Sequence, residues 1–283
     1  MTPTLRARAR GYLELVHPFP SALTVLAVAG FAAVAARGLP PWPAFGWVVA
    51  SAALSQVAIA SLNDYCDQAL DAAAKPWKPL PAGLVSPRAA LLIAVTAVPL
   101  AVLCALPLRP PALVAATLFT AAGLAYDLWL KGTVWSALPF VAAFPALPLW
   151  GWGAVAPFEP RLLEAYLLGA PLVVGIHLAD TWPDLDADRA GGVRGLAHRL
   201  GARGTRRLMW GGFLGAPALL AALSLAPAHN RTPLLVASGL AVGLVSSALL
   251  LSRGGLARWP LAFGLLATAA IVVGVGWLAS LQR

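Results

Sequence analysis

Apolar stretches of roughly 20 residues recur along the whole chain, and this recurrence limits its possible folds more than any other feature. A helix of that length is long enough to cross the hydrocarbon core of a bilayer. Only 11% of the residues are charged, against about 25% in soluble domains. The sequence therefore predicts an all-α membrane protein with about nine transmembrane helices. These spans are expected near residues 20–37, 43–62, 89–107, 111–127, 133–153, 162–180, 207–227, 232–252 and 259–280.

The distribution of basic residues predicts how these spans are oriented. With nine spans and a cytoplasmic N-terminus, 15 of the 20 Lys and Arg residues fall in cytoplasmic segments and five outside. That bias follows the positive-inside rule, and it places the C-terminus outside, with the inner or plasma membrane as the location in a bacterial cell. The net charge of +9 then reflects topology and contact with the lipid bilayer, and no nucleic-acid partner is expected.

The whole chain, 1–283, is predicted to be a single membrane domain. Residues 1–19 read as a basic lead-in that forms an interfacial helix. His17 is interpreted as a half-wet interfacial side chain, and a contact with a headgroup or substrate is the alternative. A cleaved signal peptide is the alternative, but the apolar run that follows is longer than such peptides need. Segments 63–88 and 180–206 are expected to be cytoplasmic loops that carry the chemistry.

The first acidic cluster closes the second predicted span. Asn63, Asp67 and Asp71 follow i, i+4, i+8 spacing, which aligns them along one helix face with Asp64 beside them. Carboxylates on a membrane helix are costly and by default indicate function. Hard oxygen ligands suit Mg²⁺, so these four residues are predicted metal ligands. A solvated loop at a helix end is the alternative.

A lysine- and proline-rich turn follows this cluster, from Lys75 to Gly83. Its three prolines exclude a regular helix. Lys75 and Lys78 lie beside the carboxylates and are predicted to bind phosphate oxygens. The alternative is an ordinary positively charged cytoplasmic loop.

The second acidic cluster closes the sixth predicted span with Asp180, Asp184 and Asp188 at the same spacing. Pro183 should break the helix within the cluster, and Asp186 is expected to point away into solvent. His177, one turn earlier, is interpreted as a buried histidine, with Asp180 as an alternative partner. The matching positions of the clusters predict two pseudo-repeated halves around a central cavity.

A short polar segment, Tyr126 to Lys131, is predicted on the same side of the membrane. Asp127 is expected to pair with Lys131 at i, i+4, and an aromatic belt with a topology charge is the alternative. The arginines of residues 189–207 either steer an anionic substrate or act as topology charges and lipid-headgroup contacts.

These motifs resemble those of the UbiA-type membrane prenyltransferases. NDYCD…D from Asn63 to Asp71, followed by KPLPAG from Lys78 to Gly83, is similar to the first family signature, NDxxDxxxD and RPLPSG. Asp184 and Asp188 with the glycine-rich segment to Gly201 resemble the second. The sequence departs from the family at Lys78, where arginine is usual, at Asp180, where several branches have asparagine, at Gly195, where threonine is usual, and at Pro183.

The resemblance implies an enzyme that uses two Mg²⁺ ions, held by both acidic clusters, to bind a prenyl diphosphate. It implies that Lys78, Tyr126 and Lys131 assist departure of the diphosphate, and that Asn63, Lys75, Lys78 and Lys131 bind it. The acceptor would be aromatic, of the quinone type, or lipid-like. Phosphoribosyl transfer to a polyprenyl phosphate, prenyl cyclisation and ion-coupled transport remain alternatives.

Overall fold

The structure is a computed structural model that describes residues 4–281, except for the side chains of residues 187 and 188. Within these residues the regular secondary structure is helical, without a strand. The chain divides into two compact units, Met1–Lys131 with Ala142–Leu162, and Gly132–Val141 with Leu163–Arg283. The single-domain organisation stays a prediction.

The first unit contains the helices that precede and follow the lysine-rich turn. They are α1 (Leu5–Leu15), α2 (Pro18–Ala36), α3 (Ala44–Ala74), α4 (Pro87–Ala105), α5 (Pro110–Ala125), a π-helix (Tyr126–Leu130) and α7 (Ala146–Val155). The short α6 (Leu138–Ala143) contains the boundary between the units. Helix α1 confirms the predicted helix in the lead-in.

The second unit contains the helices that follow residue 163. They are α8 (Glu164–Thr181), α9 (Leu185–Ala190), α10 (Leu196–Leu223), α11 (Arg231–Ser252) and α12 (Trp259–Ser280), with short 3₁₀ turns at Pro160–Leu163, Trp182–Asp184 and Leu256–Arg258. The first of these turns lies at the edge of the first unit.

Eight segments of the described chain are long and apolar enough to cross a membrane, so the protein is an integral, multi-pass membrane protein. The predicted span at 207–227 corresponds to the part of α10 that follows Arg206 and Arg207 and ends at Leu223. The predicted count of about nine is therefore approximate. The predicted fifth span is two helices, α6 and α7, because Pro145 lies between them.

Small residues allow the membrane helices to approach closely. The buried face of α4 is a stripe of five alanines, whereas Leu92, Val95 and Leu103 on its other faces are exposed. Gly151 of α7 lies against the backbone of α2 at Val28, where a Cβ atom would collide. Lipid exerts no hydrophobic force between helices, so such close contacts supply the packing energy.

Both predicted catalytic loops are more helical than expected. Helix α3 continues through Ala74, so only Lys75 to Val85 forms the turn between α3 and α4. The alanine-rich residues before Lys75 favour helix, and Pro76 disfavours it for the residue that precedes it. In the 180–206 segment, α8 ends at Thr181, and the 3₁₀ turn and α9 follow before α10 begins.

Candidate active site

The end of α3 arranges its four polar ligand candidates as two pairs rather than one file. Asp64 and Asp71, seven residues apart, are both buried and share Lys78 as a partner. Asn63 and Asp67 are half-buried and contact residues of the segment after α5 instead. Helix α3 runs unbroken through all four residues, as the predicted file requires, but the contacts group them differently, because Asp71 joins Asp64 on the Lys78 ammonium.

Lys78 bridges the first pair of carboxylates. Its Nζ atom donates to Asp64 Oδ1 at 2.9 Å and to Asp71 Oδ2 at 2.7 Å. Burial lowers the pKa of Lys78, but the hydrogen bonds and charges of Asp71 and Asp64 outweigh this, so its pKa is raised above the ordinary value. The ammonium thus stays protonated in the physiological range.

The turn that carries Lys78 is held by backbone hydrogen bonds. The amide of Ala82 donates to the carbonyl of Lys78 at 2.9 Å, and the amide of Leu84 donates to Pro79 at the same distance. Gly83 has a φ of 68°, in the left-handed region that glycine enters without strain. Ser86 then caps α4 by accepting from the amide of Ala89. The turn is therefore a structured element that fixes the position of the Lys78 backbone.

His17 is a site residue that sequence reasoning missed. It lies between α1 and α2 in a left-handed conformation, with φ 46° and ψ 67°. Its Nε2 atom donates to Asp64 Oδ1 at 2.9 Å. Its side chain is 30% accessible, which is compatible with the predicted half-wet position, but the contact with Asp64 was not predicted.

Helix α1 packs on the turn and encloses a small cavity with it. A Cβ atom on Gly11 would lie 2.7 Å from that of Leu84, and Leu15 forms a buried cluster with Leu80, Val85 and Ala90. The cavity of about 220 Å³ is lined by Arg10, Glu14, His17, Asp64, Trp77, Lys78 and Pro79.

The second pair is bound by the segment after α5. Asn63 Nδ2 donates to Asp127 Oδ1 at 2.8 Å, and Lys131 Nζ donates to Asp67 Oδ2. The predicted Asp127–Lys131 pair is therefore wrong, since Asp127 and Lys131 each bind a residue of α3 instead of each other. Tyr126 lies on the same π-helix, with its ring centroid 5.9 Å from the ammonium of Lys131. π-helical turns are rare in proteins, but those that occur are often found at functional sites.

The residues present fit Mg²⁺ by their chemistry. Asp64 Oδ2 and Asp127 Oδ2 are buried without a hydrogen-bond partner, which leaves two hard oxygen atoms unsatisfied. Within the described residues no three His, Cys, Asp or Glu side chains form a ready metal cage. Mg²⁺ is usually held by one or two carboxylates together with phosphate oxygens and water, so such a cage is not required.

The second acidic cluster lies in the second unit and is interrupted as predicted. Helix α8 ends at Thr181, and Pro183 lies within the 3₁₀ turn, so Asp180 and Asp184 belong to different elements. Asp186 is confirmed as solvent-exposed, with its side chain 98% accessible. The side chain of Asp188, the third predicted ligand, lies outside the described residues.

His177 is buried, as predicted, and binds Ser136. Its Nε2 atom lies 2.9 Å from Ser136 Oγ, which also accepts from the amide of Leu196 at 3.1 Å. The ring of Phe140 packs 4.7 Å from the imidazole centroid. These contacts join the segment before α6 to α8 and α10 within the second unit.

Comparison with known proteins identifies relatives in sequence. The chain is 30% identical over 197 residues to the digeranylgeranylglyceryl phosphate synthase of Natronomonas pharaonis, covering 69% of this chain and 71% of that protein. It is 37% identical over 155 residues to the protoheme IX farnesyltransferase of Symbiobacterium thermophilum. That second alignment covers 52% of this chain and 50% of the relative.

Solved structures share the fold at lower identity. A digeranylgeranylglyceryl phosphate synthase has a TM-score of 0.74 at 15% identity, covering 98% of this chain and 99% of the other. A UbiA homologue from Archaeoglobus fulgidus bound to GPP and Mg²⁺ has a TM-score of 0.70 at 15% identity, covering 94% and 99%.

A family-level match agrees with these relatives and with the two acidic motifs. The model of the UbiA prenyltransferase family matches residues 23–278, which is nearly the whole chain. This multi-pass membrane protein therefore belongs to the UbiA prenyltransferase family and is a prenyltransferase enzyme.

Proposed function

We propose that this prenyltransferase transfers an isoprenyl group from a prenyl diphosphate to a lipid-like acceptor in an Mg²⁺-dependent reaction. The observation that carries the proposal is the Lys78 ammonium bound between the buried carboxylates of Asp64 and Asp71. A diphosphate needs a cation beside it, and its metal ions need carboxylates. The Lys78, Asp64 and Asp71 side chains would supply both. The UbiA homologue solved with GPP and Mg²⁺ supports the same ligand class.

Both acidic clusters would hold the metal, with two ions in all. When bound, Mg²⁺ would neutralise the charge that develops on the departing diphosphate. The unsatisfied Asp64 Oδ2 is the best-prepared ligand atom in the first cluster. The proposed ligands are Asn63, Asp64, Asp67, Asp71, Asp180, Asp184 and Asp188.

The lysines and Tyr126 would bind and orient the diphosphate. A lysine ammonium has three donors, and two of those of Lys78 are used by Asp64 and Asp71. The third is available for a phosphate oxygen. Lys131, beside Tyr126, would bind a second phosphate oxygen, and Lys75 would add charge at the start of the turn. Fixed positive charge in a low-dielectric site stabilises a leaving anion strongly.

The relatives favour some acceptor classes over others. The digeranylgeranylglyceryl phosphate synthase aligns over the larger share of the chain, which favours an amphiphile that carries a glycerol-phosphate group. The shorter alignment at 37% identity with a protoheme IX farnesyltransferase favours a tetrapyrrole as the second candidate. An aromatic acceptor of the quinone type is the third.

The active-site turn is proposed to face the cytoplasm. The excess of basic residues in the segments that share its predicted side supports this orientation. Reporter fusions after Arg88 and after the last residue would test it, with a cytoplasmic signal expected for the first and an external signal for the second. The reverse pattern would contradict the proposed orientation.

The catalytic proposal is tested on the purified full chain in detergent with radiolabelled geranylgeranyl diphosphate and an acceptor panel. We expect pyrophosphate release coupled to a prenylated product, lost with EDTA and restored by Mg²⁺. Asp67→Ala and Asp184→Ala should each lower the rate at least about 100-fold, whereas the exposed Asp186→Ala should retain it.

Three results would contradict parts of this scheme. Unchanged activity in both Asp67→Ala and Asp184→Ala would exclude the metal ligands proposed. Pyrophosphate release with the label in a cyclic hydrocarbon would indicate cyclisation instead of transfer. Ion flux in proteoliposomes without pyrophosphate release would indicate a transporter.

A further inference from the structure

A basic cavity in the second unit has no place in the diphosphate chemistry described above. It has a volume of about 290 Å³ and lies where the chain passes from α9 to α10. A water molecule takes about 30 Å³ of liquid volume, so the cavity has room for a larger group. Its lining residues are Arg189, Val193, Arg194, His198 and Arg199.

The local backbone brings these side chains together. Arg189 lies in the last turn of α9. Gly192 follows this helix with a φ of 83°, which glycine adopts without strain, so the chain can change direction there. The reversed chain then supplies Arg194 and, from the first turns of α10, His198 and Arg199.

His198 is held in one orientation by the fold. Its Nε2 atom donates to the carbonyl of Leu185 at 3.2 Å. Its Nδ1 atom is buried and has no hydrogen-bond partner. Because Nε2 carries the proton of that bond, Nδ1 is left as an acceptor, for example for a ligand hydroxyl.

The positive charge of the cavity is not balanced within the described residues. Among the described side chains Arg189 pairs with Asp186 at 3.8 Å, and Asp186 is almost fully exposed, so the pair is weak. No ion pair of Arg194 or Arg199 is present in the same part of the chain. Three arginines that line one cavity create a local positive potential that attracts anions.

Guanidinium groups match phosphate oxygens with paired donors, which distinguishes them from lysine point charges. The segment leads directly into the apolar half of α10, which begins at Leu208. We propose that this basic cavity binds the phosphate group of a membrane amphiphile. Two amphiphiles carry that chemistry, the acceptor of the transfer reaction and an anionic bilayer lipid. Only the first of these sources rests on the proposed function.

The test measures binding to the full chain in an uncharged detergent, without Mg²⁺ or prenyl diphosphate. The probe is dodecyl phosphate, titrated calorimetrically, with inorganic phosphate as the free anion. Arg194→Gln/Arg199→Gln should weaken dodecyl phosphate binding about tenfold or more, since each lost charged hydrogen bond is substantial. The control Arg203→Gln removes an exposed arginine of the same helix that does not line the cavity.

Equal binding by wild type and the double variant would overturn the proposal, as would an equal loss in Arg203→Gln. Binding of inorganic phosphate as tight as that of dodecyl phosphate would overturn the assignment to an amphiphile. Arg194→Lys/Arg199→Lys keeps the charge and should show an intermediate loss, which excludes misfolding as the cause. Because no turnover is measured, failure here is separable from failure of the transferase proposal.

A second arm identifies the source of the phosphate group. The binding is repeated in nanodiscs of phosphatidylcholine alone and of phosphatidylcholine with phosphatidylglycerol. Competition by phosphatidylglycerol indicates a bilayer lipid headgroup. Binding that is insensitive to phosphatidylglycerol, together with a raised KM for a phosphate-bearing acceptor in the double variant, indicates the acceptor.

Discussion

The imidazole of His17 donates a hydrogen bond to the carboxylate of Asp64, 2.9 Å away and 47 residues later in the chain. The same Asp64 oxygen accepts from Lys78. One carboxylate oxygen therefore ties the junction of α1 and α2 to both α3 and the lysine turn. The other oxygen of Asp64 is buried without a partner. His17 thus orients a proposed metal ligand so that its second oxygen stays free.

His17→Ala should lower kcat/KM for prenyl transfer about tenfold, because it releases Asp64 from a fixed position. His17→Gln, which retains a donor, should recover part of that loss. The measurement is steady-state transfer over a range of Mg²⁺ concentrations, where the alanine variant should need more Mg²⁺ for half-maximal rate. Arg6→Ala, an exposed change on α1, is the control. An unchanged Mg²⁺ requirement in His17→Ala would contradict the positioning role.

Lys78→Met should destabilise the protein by about 2 kcal/mol, because it leaves the buried carboxylates of Asp64 and Asp71 without their cation. Mg²⁺ should raise the Tm of this variant more than that of wild type, since the metal would replace the missing charge. Thermal unfolding in detergent with and without Mg²⁺ measures both effects. Lys78→Arg should destabilise the protein less than Lys78→Met does. If Mg²⁺ stabilises wild type and Lys78→Met equally, the carboxylates are not metal ligands.

Gly83→Ala should cost about 1 kcal/mol of stability, because alanine is strained at a φ of 68°. The space around Gly83 is open, so the penalty arises from the backbone and not from a clash. A shifted turn would also misplace Lys78 and lower the transfer rate. Gly264→Ala, on α12 with equally open surroundings, should be neutral or stabilising. Paired Tm and rate measurements that show no difference between the two variants would refute the turn argument.

Glu164→Ala should destabilise the second unit by about 2 kcal/mol without touching the active site. Glu164 Oε2 accepts from His229 Nε2 at 2.9 Å and from Trp277 Nε1 at 3.0 Å. Its loss leaves two donors without this acceptor, and His229 is buried. Glu159→Ala removes a half-buried contact with Arg161, two residues away, and should cost less, under about 1 kcal/mol. Equal effects of the two changes on the free energy of unfolding would disprove the network's contribution.

Several features of the candidate site were predictable because they arise from local chemistry. Pro183 ends α8 where expected, and the prolines after Lys75 end α3 and begin a structured turn. The site pairings were not predictable in the same way. Asp127 was assigned to Lys131 from i, i+4 spacing, but burial of Asp127 against α3 favours Asn63. An i, i+4 ion pair on a helix contributes only tenths of a kcal/mol, so a buried hydrogen bond between helices outweighs it.

The sequence by itself determined that the chain spans a membrane, about where its spans and breaks lie, and which acidic and basic residues are candidates for the chemistry. Hydrophobic length, proline and glycine act within a few residues, so these features are readable from the order of amino acids. The tertiary structure alone decided that His17 reaches Asp64, that Lys131 reaches Asp67, and that three arginines and His198 share a cavity. Such contacts depend on how side chains from separate segments pack, and no local period encodes that packing.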